Sequence, residues 1–136
     1  NSFREAGIIL SVAILCTGLA FFGLLVGNAN FGFIGLVGAV GLIGLSINDA
    51  IVVLSHIKEA NEDQKLTKER LIEVVIRSTR HIITTSVTTV GGFLPLLITS
   101  VFFKPLAWAM SVGVLGATII ALLYIPSLYV IKEKIV

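Results

Sequence analysis

Four long apolar runs, parted by two short polar breaks and one hydrophilic stretch, set the pattern of this 136-residue chain. Each run exceeds the roughly 20 helical residues that a bilayer crossing needs. They predict transmembrane helices at about 7–27, 31–57, 81–102 and 105–131. Asn28-Ala29-Asn30 allows only a tight connection, so the first two spans form an antiparallel hairpin. Phe103-Lys104-Pro105 makes the turn between the third and fourth, with Pro105 suited to a first helical turn.

The hydrophilic stretch, 58–80, also carries a helical signal. Thr67 suits an N-cap, and Leu66 and Leu71 stand at the two positions of a hydrophobic staple. Charges then alternate with Leu71, Ile72, Val75 and Ile76. This predicts an amphipathic helix on the membrane surface that runs into the third span. A solvated connector whose apolar face packs on the bundle fits the same pattern. The expected fold class is therefore all-α: one integral membrane domain, 1–136, built as a four-helix transmembrane bundle.

Composition agrees, with 56% hydrophobic and 13% charged residues, too little charge for the surface of a soluble domain. The basic residues add an orientation. Arg4, Lys58, Lys65, Lys68, Arg70, Arg77, Arg80, Lys132 and Lys134 fall on one side of the four spans, and Lys104 alone on the other. The positive-inside rule then puts both termini and the amphipathic helix in the cytoplasm. The net charge of +2, without interleaved basic and aromatic residues, gives no sign of a nucleic-acid partner. Cys16 is alone and mid-span, which suits a small apolar role. The opening Asn1-Ser2-Phe3-Arg4-Glu5 has neither an initiator Met nor a signal-peptide n-region, so a piece of a longer protein is expected.

Candidate chemistry centres on one acid. Asp49 interrupts the most glycine-rich apolar run, and an ionisable group within a span marks a functional site by default. Ser46, Asp49 and His56 share one helical face by their spacings of three and seven. Asp49 stands about eight residues, or ~12 Å, from the cytoplasmic end of its span. Thr88 sits at a similar depth on the antiparallel third span, in a polar line with Arg77, His81, Thr84 and Thr85. These matching depths suggest a shared buried site.

Without a fixed cation, a low-dielectric setting favours the neutral acid. Asp49 can then exchange protons with the help of Asn48 and the threonine hydroxyls, or remain a protonated, hydrogen-bonded packing residue. His56 and His81 lie near the cytoplasmic interface, as headgroup-level side chains or as a proton exit. Gly32, Gly35, Gly38, Gly41 and Gly44 form a stripe that packs helices closely and can let them slide. Two distant histidines and one cysteine make no metal site. No hydrolytic or phosphate-binding motif appears, so neither enzyme activity nor a cofactor is expected.

The blocks GLIGLSINDAIVVLSHI, RHIITTSVTTVGGFLPLL and FFKPLAWAMSVGVLGATIIALLYIPSLYV, in this order and spacing, resemble the last four transmembrane helices of resistance-nodulation-division (RND) transporters. The resemblance spans essentially the whole chain. It implies a proton-driven exporter of the bacterial inner membrane, typically trimeric, with protons as the coupling ion. It also implies as partners the other half of the transporter, a periplasmic adaptor and an outer-membrane channel. By position it sets Asn48 and Asp49 at the relay level and matches Thr85 to a facing threonine. The chain departs from the pattern twice. Asn48 replaces a lysine, and Ser78 stands where many members have a basic residue, with Arg77 and Arg80 beside it. The first half of such a transporter would then hold the principal carboxylates. A self-associating scaffold module and a channel-like bundle are the rival readings of the same residues.

Overall fold

The computed structural model describes residues 2–63 and 67–133, apart from the side chains of residues 63, 129, 132 and 133. Four helices account for nearly all of them: α1 (Ser2–Val26), α2 (Phe33–Asp63), α3 (Lys68–Thr99) and α4 (Lys104–Glu133). Each is long and apolar enough to cross a membrane. No strand occurs among the described residues.

The hydrophilic stretch is not a separate element. α2 continues through His56 to Asp63, and Lys68 to Arg80 form the first turns of α3. Lys58, Glu59, Ala60 and Glu62 are strong helix formers with no Gly or Pro among them, so nothing ends α2 where its apolar run ends. Thr67 holds the N-cap position with extended backbone, φ −92° and ψ 161°, but its hydroxyl makes no capping bond. Leu71 is buried and its N–H donates to Thr67 O at 3.0 Å, which opens the helix. The other half of the expected staple, Leu66, lies outside the described residues.

The α1–α2 turn closes as a Schellman motif. Ala29 N–H donates to Leu24 O at 3.0 Å and Asn28 N–H to Leu25 O at 3.1 Å. Asn28 adopts φ 47°, the left-handed conformation that asparagine tolerates better than most residues. Across the turn Phe21 and Phe31 meet with ring centroids 5.4 Å apart. At the opposite turn Pro105 is the second residue of α4, where its missing N–H costs nothing.

α2 and α4 form the centre of the bundle, each touching all three other helices. α1 and α3 flank them without meeting, among the described residues. The core is built from small and β-branched side chains: Val12, Cys16 and Ala20 on α1; Ala39, Ala50 and Val53 on α2; Val114, Ala117 and Ala121 on α4. Such residues let backbones approach closely, which is the main way helices adhere inside a bilayer.

Only part of the α2 glycine stripe makes close approaches, and Gly23 of α1 makes a tighter one to backbone. A methyl group at Gly23 would lie 2.8 Å from the Trp108 carbonyl oxygen of α4, and one at Gly38 3.2 Å from the Leu106 backbone. Gly35 meets Leu24, and Gly41 makes only ordinary contact with Met110. Gly44 and Gly32 face open space; Gly32 instead caps α2, accepting from Leu36 N–H at 3.0 Å.

Candidate functional site

Asp49 is 3% exposed, midway along α2, above Ala50 and Val53, which are fully buried. Ser46, one turn away, is 2% exposed, and its hydroxyl donates to Leu42 O at 2.7 Å. It therefore spends its proton within its own helix rather than on Asp49. Cys16 of α1 is fully buried in the same core as Ala50 and Val53. The acid thus sits on a buried face of α2, as its place in an apolar run led one to expect.

The α3 polar line occupies a different position. The buried face of α3 carries Leu71, Ser78, Ile82 and Ser86. Rotation by a quarter turn or more leaves Arg77, His81, Thr84 and Thr88 exposed and Thr85 half-buried. Each threonine hydroxyl bonds back one turn: Thr84 to Arg80 O at 2.8 Å, Thr85 to His81 O at 3.0 Å, Thr88 to Thr84 O at 2.7 Å. These residues line an open groove of about 610 Å³ on the outside of the four-helix unit. Asn48 is exposed as well. The structure therefore brings Ser46 and Asp49 together, but it does not close the α3 threonines over them.

A different polar tie joins α2 to α3. His56 Nδ1 lies 2.8 Å from Ser78 Oγ, and Ser78 is completely buried. The Ser78 hydroxyl gives its single proton to Val74 O at 3.0 Å. His56 Nδ1 is consequently the donor, which fixes the tautomer and leaves Nε2 free to accept when the ring is neutral. Two turns further along the buried face of α3, Ser86 hydrogen-bonds Thr118 of α4. Sequence reasoning placed His56 on the Asp49 face but did not pair it with Ser78. Both are small or amphipathic residues at the level where the apolar runs end, which was the available signal.

The sequence model of the AcrB/AcrD/AcrF family matches residues 1–133 of the chain. The swarming motility protein SwrC of Bacillus subtilis (strain 168) is similar over 120 residues, at 26% identity. That alignment covers 85% of this chain and 11% of SwrC, so the chain spans a small part of this relative's length.

Proposed function

Because this chain belongs to the AcrB/AcrD/AcrF family of RND transporters, we propose that it forms the last four membrane-spanning helices of a proton-driven exporter. Its work is to convert protonation at the level of Asp49 into helix displacement, which drives domains outside this chain. The observation that carries this reading is the Asp49 carboxyl itself, 3% exposed within a span, where an ionisable group is costly unless it is used.

Asn48, Thr88 and half-buried Thr85 support it in a second way. They are polar groups at membrane depth on the outside of this bundle, and such groups call for protein or water rather than lipid tails. The neighbour proposed here is the other half of the transporter, with further carboxylates at the same level. Ser46, Asp49, Asn48, Thr85 and Thr88 then line the relay, and His56 and His81 lie on its cytoplasmic side. The nine-to-one division of basic residues supports that orientation in a bacterial inner membrane. Trimeric assembly, with a periplasmic adaptor and an outer-membrane channel as partners, belongs to the same proposal.

The test is Asp49→Asn in the full-length transporter, with export measured in cells alongside abundance. Loss of proton-coupled export at normal abundance is expected. Retained export makes Asp49 a packed neutral acid and removes it from the relay. Conductance that needs no proton gradient would favour the channel reading.

A further inference from the structure

Beyond their apolar stretches, α2 and α3 enclose a cavity of about 160 Å³. Its charged lining has both signs: Glu59 from α2, and Arg70, Glu73 and Arg77 from α3, with His56 on the side of the spans. Among the described residues the one ion pair is Glu5–Lys58, at 3.7 Å. The two acids and two guanidiniums of the cavity therefore form no ion pair with one another. Arg70 Nη1 is buried and has no hydrogen-bond partner among the described residues. A desolvated guanidinium nitrogen without an acceptor is costly, and the Arg70 side chain that carries it lines this cavity.

Size and depth narrow the occupant. Drug-sized ligands take ~300–1,000 Å³, well above this volume. Roughly five waters would fill it at ~30 Å³ each, the scale of a lipid headgroup without its chains. The cavity begins at His56 and Arg77, near the ends of the apolar runs at about 57 and 81, which sets it at headgroup depth once the helices are in a bilayer. Charge decides the class. A purely basic pocket attracts anionic lipids, whereas two acids beside two guanidiniums suit a zwitterion.

We propose that this cavity binds the headgroup of phosphatidylethanolamine, with the phosphate held by Arg70 and Arg77 and the ammonium by Glu59 and Glu73. Guanidinium forks match phosphate oxygens, and a primary ammonium offers three donors to the carboxylates. The quaternary ammonium of phosphatidylcholine offers none. The inference is independent of proton coupling and rests only on insertion of the helices in a membrane.

The experiment is native mass spectrometry of the full-length transporter in detergent, with phosphatidylethanolamine, phosphatidylglycerol or phosphatidylcholine added. Phosphatidylethanolamine is expected to be retained about tenfold better than the others, and Arg70→Gln to weaken its retention about tenfold, as loss of a charge-assisted hydrogen bond to the phosphate requires, with the other two lipids, which share that phosphate, weakened alongside it. Glu73→Gln removes the discrimination against phosphatidylcholine, while Lys68→Gln, an exposed neighbour outside the cavity, leaves it intact. Arg77→Gln reads the same loss as Arg70→Gln and serves if the latter does not accumulate. Equal retention of the three lipids overturns the proposal, as does undiminished retention in the arginine variants or an unchanged preference in Glu73→Gln. Glycerophosphoethanolamine, which has the headgroup without chains, should displace the lipid poorly. Displacement at equal concentration overturns the lipid as occupant in favour of a soluble phosphodiester.

Discussion

His56 on α2 and Ser78 on α3 are joined by a 2.8 Å hydrogen bond at a point where Ser78 has no exposed surface. The bond ties the two helices seven residues beyond Asp49, between the buried acid and the charged cavity. It also accounts locally for a small residue at position 78. A long cation there would enter a fully buried site already filled by the imidazole contact.

A double-mutant cycle measures this tie. Ser78→Ala and His56→Ala, alone and combined, are expected to show a coupling of about 1 kcal/mol, the usual net worth of an intramolecular hydrogen bond. Thermal unfolding of the full-length protein in detergent gives the number. Strict additivity would mean that the two side chains do not interact.

The α3 threonines should separate stability from export. Their hydroxyls are satisfied within their own helix, so Thr85→Ala and Thr88→Ala should change stability by less than ~0.5 kcal/mol. Under the relay reading, export falls several-fold in the same variants. Full export with full stability would remove these residues from the proton path.

Backbone and side-chain crowding should have different consequences at two glycines of the α1–α4 contact. At Gly23 an added methyl meets the Trp108 carbonyl, which cannot move alone, and at Gly116 it meets the flexible Leu19 side chain. Gly23→Ala is expected to destabilise by about 1–3 kcal/mol, as overpacking does, and Gly116→Ala by clearly less. Melting temperatures of the two variants decide it. A larger loss at Gly116 would contradict the packing described.

Asn28 offers a backbone test. Asn28→Gly should be nearly neutral, because glycine accepts the left-handed conformation freely. Asn28→Val should cost at least about 1–2 kcal/mol through its β-branched side chain. Equal melting temperatures for the two variants would show that the turn has another conformation.

The four helices were legible because the bilayer imposes a length and the apolar runs meet it. The Asn28 turn was legible from its brevity. The amphipathic start of α3 was legible from Thr67 and the apolar spacing after it, but the continuation of α2 to Asp63 was not, since hydropathy reports where lipid ends and not where a helix does. At the site, burial of Asp49 followed from its apolar neighbours. The orientation of Thr84, Thr85 and Thr88 did not follow. A polar line identifies one face of a helix but leaves open which neighbour that face meets. On α3 the inward face is marked by the small residues Ser78 and Ser86 rather than by the more conspicuous charges and threonines.

The uninterrupted course of α2 has a mechanical consequence. α3 and α4 contain Pro95 and Pro126 within their length, whereas α2 runs from Phe33 to Asp63 without a proline. Asp49 therefore sits part-way along a stiff rod, about 21 Å from its Asp63 end at 1.5 Å per residue. Pivoting that rod by about 5° at the acid swings its far end by about 2 Å. A small adjustment at the carboxyl thus arrives at the Asp63 end of α2 as a lever stroke comparable in size to an atom.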